Sequence, residues 1–286
     1  MTRSRLSNTS LQQHAIGTFA IGGIVTEYIS GTTHYRVHSF TAAGTHKINF
    51  NNKTLIDFLI VAGGGGSAAA EGYTGSTGGA GAGGLVEGIT QSIDPGSYTI
   101  TVGVGGARST SISAPGSTGG DSTFKGYTAK GGGAGSDYVG NDSERVGEAG
   151  GCGAGGSENS QTAGGTIQDN YSSVSGVTGY GNAGGNGGPY GGGGSGGSGG
   201  GGGAGGAGTT ANSATANGGV GRANNIRTGA NHTYCRGGNG YAHNESSNLY
   251  EIANSGNGAH GVSSTGGNQT NSGNGGSGIV VIRYAI

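Results

Sequence analysis

Residues 191–208 read GGGGSGGSGGGGGAGGAG, and the only interruptions are Ser195, Ser198, Ala204 and Ala207, all of them small. This run concentrates a property of the whole chain, in which 75 of 286 residues are Gly. Ordering a backbone costs roughly 1–2 kcal/mol per residue, and Gly loses the most freedom of all. Such a run is therefore either an unstructured linker or a fold that requires the missing side chains. Polyproline-II geometry supplies the second case: three residues per turn, a rise of about 3.1 Å and no internal hydrogen bonds. Without Cβ atoms, neighbouring rods can approach until their N–H and C=O groups pair between rods, which satisfies the demand that buried backbone groups be paired. Weak Cα–H···O contacts add to this. Eighteen residues at that rise would make a rod of roughly 55 Å. Gly is then required inside the bundle, and Ser, Asn, Ala or Thr can face outward.

Glycine tracts recur at Gly63–Gly66, Gly131–Gly135, Gly150–Gly156, Gly184–Gly208, Gly237–Gly240, Gly256–Gly261 and Gly273–Gly278, alternating with segments that carry Tyr, Ile and Val. A Gly/Ser linker is the bland alternative. The alternation favours rods joined by turns.

Composition limits everything else. The apolar fraction is 30%, with no Trp, one Met and five Phe, so only part of the chain can build a side-chain core. Three prolines exclude collagen. A net charge of −1 leaves no basic patch for nucleic acid. Residues 1–31 carry Arg3 and Arg5, but neither a secretory apolar run nor a membrane-length one is read there. Cys152 and Cys235 are accordingly read as free thiols.

Ser97-Tyr98-Thr99-Ile100-Thr101-Val102-Gly103-Val104 alternates with period two and predicts a half-buried strand. Asp94-Pro95-Gly96 predicts a turn before it, so that residues 84–89 and 97–104 would form a hairpin. Residues 55–62 (LIDFLIVA) and 279–286 (IVVIRYAI) are near-continuous apolar runs, suited to central strands covered on both faces. Weaker strands are expected over 35–40, 45–50 and 123–130. The expected fold is therefore all-β. Residues 32–130 plus 278–286 would make a β-sandwich framework, 131–277 a glycine-rich insertion without strands, and 1–31 an N-terminal attachment segment.

Three stretches, residues 58–66 (FLIVAGGGG), 95–106 (PGSYTITVGVGG) and 275–284 (GGSGIVVIRY), with Tyr35–His46 upstream, resemble the glycine-rich domain of tail fibres and adhesins of tailed bacteriophages. The resemblance covers about Tyr35–Ile286. It implies a sandwich of TNF-like or jelly-roll type bearing a polyglycine-II helix bundle, in a virion protein that contacts the host surface. Its implied partners are other tail proteins, through the N-terminal segment, and a host receptor, either a glycan or an outer-membrane protein. Monomer and homotrimer both stay open. A similar arrangement in the extracellular region of the anaplastic lymphoma kinase family bears on architecture alone. The alternative function is a non-adhesive virion component, a capsid decoration or tail connector.

Recognition loops at rod ends would suit tyrosine, which is rigid and amphipathic. Tyr138, Tyr171, Tyr180, Tyr190, Tyr234, Tyr241 and Tyr250 are the candidate receptor-binding residues. Residues 174–180, 223–236 and 241–252 are the candidate loops. Catalysis has little support: the close carboxylates Asp142, Glu144 and Glu148, with Arg145 among them, read as a solvated charged turn. His34, His38 and His46 could approach one another as metal ligands, but ordinary surface histidines are the preferred reading. No enzyme activity, metal or cofactor is expected.

Overall fold

The computed structural model describes residues 19–69, 75–111, 114–137, 146–158, 162–189, 197–211, 216–240, 252–262 and 273–286. Among these residues there is no helix, and the fold is all-β. A five-stranded sheet has the order β1 (Ala20–Ile21), β4 (Gly44–Phe50), β7 (Gly96–Val102), β8 (Ser122–Phe124), β9 (Tyr127–Ala129). A six-stranded sheet has the order β10 (Val177–Tyr180), β6 (Leu85–Ile93), β5 (Thr54–Val61), β13 (Ile279–Ala285), β3 (Thr33–Phe40), β2 (Ile24–Ser30). A separate two-stranded hairpin joins β11 (Arg222–Asn224) to β12 (His232–Tyr234).

The two large sheets pack into a sandwich around one apolar core. Phe58 on β5 meets Phe124 on β8 edge-on at 5.7 Å and stacks against Tyr127 on β9 at 5.4 Å. Ile60, Val280, Ile282 and Tyr284 face the same core from the six-stranded sheet, and Ile48, Phe50 and Ile100 from the other. The opposite face of the six-stranded sheet is also covered. Leu59, Val61, Ile279 and Val281 cluster there with Ala82, Cys152, Ala204, Tyr234 and Cys235. Phe58–Val61 of β5 and Ile279–Ile282 of β13 are thus dry on both faces, which explains apolar runs that do not alternate with polar residues, whereas Leu55 at the start of β5 is 58% exposed.

The second face is covered by glycine tracts. Residues 79–84 show how. Gly79 and Ala82 donate to the carbonyls of Gly199 and Gly202; Ala80 and Gly83 to Ala259 and Gly256; Gly81 and Gly84 to Gly133 and Lys130. The partner changes at each residue and repeats every third. On the acceptor side, Gly155 and Cys152 donate to Gly79 and Ala82, Gly65 and Ala62 to Gly81 and Gly84, and Gly238 to Ala80. The tract is ringed by three neighbours that receive its protons and three that supply theirs. A Cβ at Gly64 would overlap the carbonyl of Asn257, and one at Gly79 that of Gly238. Side chains are excluded there because backbone occupies the space.

Several expectations require correction. Residues 85–93 and 96–102 do not form a hairpin: β6 pairs with β5 and β10, whereas β7 pairs with β4 and β8. The Asp94-Pro95 connection carries the chain from one sheet to the other. The insertion is not free of strands, since β10 extends the six-stranded sheet and β11–β12 lies within it. The hydrogen-bonded glycine network also reaches beyond 131–277, since residues 62–66 and 78–84 belong to it. Residues 20–30, read as part of an attachment segment, form β1 and β2, which pair with β4 and β3.

The 191–208 run is not one rod. Residues 190–196 lie outside the described residues, and the rest turns back at Ala204-Gly205, where Gly203 and Gly206 exchange hydrogen bonds of 2.9 and 3.3 Å. Ala204 is buried in the cluster against the six-stranded sheet. The tract reaches the sheet there and has to reverse.

Candidate functional site

Tyr138, Tyr190, Tyr241 and Tyr250 lie outside the described residues, as do Asp142, Glu144 and Arg145. The other three candidate tyrosines are engaged inside the molecule. Tyr171 clamps β9: its hydroxyl accepts the Thr128 N–H at 2.8 Å and donates to the Thr128 carbonyl at 3.1 Å. Its ring packs edge-on against Tyr127 at 5.3 Å. Tyr234 on β12 is 3% exposed, and burial raises its phenol pKa.

Tyr180 on β10 belongs to a polar pin. The Arg222 guanidinium lies 3.7 Å from the Tyr180 ring centre and donates to its hydroxyl at 2.8 Å. Arg222 also makes two bonds of 3.0 Å to the Glu87 carboxylate, which accepts a third from Asn224 at 3.0 Å. The carboxylate beside it raises the Arg222 pKa. This pin fastens the β11–β12 hairpin to β6. Residues 174–180 and 223–236, expected as loops, therefore supply strands.

The three N-terminal histidines do not converge. His34 pairs with Glu27 at 3.1 Å, and the His46 Nε2 contacts the Ala42 carbonyl at 2.7 Å. His38 is not a surface residue: it is fully buried between the Gly22 carbonyl (2.6 Å) and the Tyr284 hydroxyl (3.0 Å). Burial lowers its pKa. No group of three potential metal ligands occurs among the described residues. Glu148, from the carboxylate group, accepts the Ala134 N–H at 3.3 Å.

The most site-like feature among the described residues is a groove of about 330 Å³ between the glycine tracts, among Val220, Arg236, Asn239, Ile252, Asn257 and His260. The tracts themselves set its chemistry. The Oδ1 of Asn239 accepts the Gly218 N–H at 2.8 Å, and that of Asn257 the Arg236 N–H at 2.9 Å. Each side chain stands in for a backbone carbonyl of the network. The His260 Nδ1 accepts the Asn239 N–H at 3.1 Å, which places its proton on Nε2. Burial holds the His260 pKa down at about 4, so the ring is neutral at pH 7. Val220 and Ile252 give the groove exposed apolar surface, at 64% and 59%.

Arg236 is the last residue of the candidate loop 223–236, whereas Asn239, Asn257 and His260 stand outside every candidate loop, although a signal existed. Arg236 and Asn239 stand three apart in RGGNG, and Asn257 and His260 three apart in NGAHG. That is the period of the hydrogen-bond network, so both side chains of each pair leave their tract on the same side.

A two-sheet β-sandwich covered on one face by interlocked glycine tracts defines a glycine-rich all-β protein. The glycine-rich domain family matches residues 41–285, and the chain belongs to that family. No curated protein matches the chain.

Proposed function

We propose that the chain is a structural protein of a tailed-bacteriophage virion, a tail fibre or receptor-binding adhesin that contacts the host surface, and that its tracts form a polyglycine-II bundle. The observation that carries this reading is the three-residue repeat of hydrogen-bond partners along residues 79–84. Three residues per turn is the repeat of the polyproline-II helix. A bundle of that kind uses backbone where other folds use a side-chain core. Its outward residues and connecting segments are then free to vary without loss of the scaffold, which is what an adhesin requires.

The resemblance of residues 58–66, 95–106 and 275–284 to phage fibre proteins supports the same reading. Residues 1–18 are the proposed attachment to the rest of the tail. A second reading, a tail connector or capsid decoration, draws support from β2: Ile24, Val25 and Ile29 are 58%, 51% and 70% exposed on an edge strand, a surface suited to a neighbouring virion protein.

The test is location and competition. Antibody-gold labelling should place the chain at the tail tip or fibre, and the purified protein should block phage adsorption to host cells. Labelling on the capsid shell without competition would overturn the adhesin reading.

A further inference from the structure

The groove around Arg236 offers several hydrogen-bond donors, and five of its lining carbonyls are already engaged. The carbonyls of Gly219, Arg236, Asn239, Asn257 and Gly276 already accept N–H groups from neighbouring tracts. The Oδ1 atoms of Asn239 and Asn257 are likewise occupied, which turns both amide NH2 groups away from those bonds as donors. Arg236 is exposed, and its guanidinium has no protein partner among the described residues. Among the described residues no carboxylate side chain lines the groove. The complementary ligand is rich in acceptors and carries negative charge. A guanidinium fork matches a carboxylate in bidentate fashion. The exposed Val220 and Ile252 suit the C–H face of a pyranose ring, and a volume of about 330 Å³ lies at the lower end of small-ligand sites, large enough for a short saccharide.

We propose that this groove binds a carboxylate-bearing sugar unit of a polysaccharide, with the carboxylate on Arg236 and ring hydroxyls on the amides of Asn239 and Asn257. The inference deepens the adhesin reading and rests on it only for the source of the sugar.

The experiment is isothermal titration calorimetry of the purified full chain with trigalacturonate, neutral galactotriose and galactose 6-phosphate. Trigalacturonate should bind at least about tenfold more tightly than galactotriose. Arg236→Gln should remove that advantage while leaving the circular dichroism spectrum and Tm unchanged. Asn257→Asp keeps an acceptor for the Arg236 N–H but adds a negative charge, and should also weaken trigalacturonate. Equal affinity for acid and neutral sugars overturns the proposal, as does indifference to both variants. So does tighter binding of the sugar phosphate, or no heat from trigalacturonate up to about 10 mM. These outcomes concern the purified protein alone. Failure here with the chain still found at the tail tip removes the groove, not the adhesin reading. Binding here with the chain found on the capsid does the reverse.

Discussion

Gly79 donates its amide proton to the Gly199 carbonyl at 3.0 Å, while the Gly238 carbonyl fills the place that a Cβ on Gly79 would take. Gly79→Ala would place a methyl group on the Gly238 carbonyl. The surrounding backbone has no room to yield, so the variant should lose about 3 kcal/mol or more of stability. Gly165 is the control: a methyl group there would meet nothing within 4 Å, and its φ is not positive. Gly165→Ala should lie within about 0.5 kcal/mol of the parent. Denaturant unfolding of the two variants decides the matter; equal midpoints would mean that the tracts are not closely packed.

Glu87 accepts three hydrogen bonds, and its side chain is 12% exposed. Glu87→Ala strands Arg222 and Asn224 and should cost about 1–3 kcal/mol, reduced by the partial exposure of Arg222 to solvent. A double-mutant cycle with Arg222→Ala measures the coupling. Additivity within about 0.3 kcal/mol would show that the pin contributes nothing.

Tyr171 offers a contrast with a receptor-binding role. Tyr171→Phe deletes a hydroxyl that serves both the N–H and the carbonyl of Thr128. Stability should fall by about 1–2 kcal/mol, and under the proposed adhesin function any inhibition of phage adsorption by the purified variant should match the parent. The reverse pattern, unchanged unfolding with lost inhibition, would return Tyr171 to the recognition surface.

The thiols should be silent in the native state. Burial pushes Cys152 up to about 12 and Cys235 well above the ordinary thiol range. At pH 8 both should resist a disulfide exchange reagent until denaturant is added, whereupon two thiols per chain react. Rapid labelling without denaturant would contradict the burial of this cluster.

His260 gives a pH dependence of definite sign. Its pKa falls from 6.5 in the unfolded reference to about 4 in the fold, so the unfolded chain binds the extra proton between those values. Its contribution is full above about pH 6.5 and is lost as pH falls toward about 4. Replacing His260 with Asn should flatten the stability profile across that window, as read by thermal unfolding at successive pH values.

β5 and β13 were legible because strands dry on both faces carry unbroken apolar runs, as Phe58–Val61 and Ile279–Ile282 do. β8 and β9 were legible as one segment; Lys125 and Gly126, both at positive φ, close it as a tight hairpin. The β6–β7 relationship was not legible. A short Pro-containing turn reads the same whether it closes a ladder or carries the chain to a facing sheet. β10 was hidden for another reason: VTGY is too short for periodicity to register, and its place is fixed by Glu87 and Arg222 from elsewhere in the chain. The groove is legible least of all. Arg236 and Asn257 are 21 positions apart and meet only because adjacent tracts run side by side.

The placement of β13 has a consequence for synthesis. It lies between β3 and β5 in the six-stranded sheet, yet of all these strands it is the last to leave the ribosome. The tracts compound the delay, since Gly64 must find Gly276 and Gly83 must find Gly256. The six-stranded sheet therefore cannot be completed from the N-terminus piece by piece, since β3 and β5 meet only through β13. Closing such distant pairs makes the final step slow. A nascent chain that stops at the last glycine tract carries nearly all of the sandwich's sequence but leaves the six-stranded sheet in two parts, β10-β6-β5 and β3-β2.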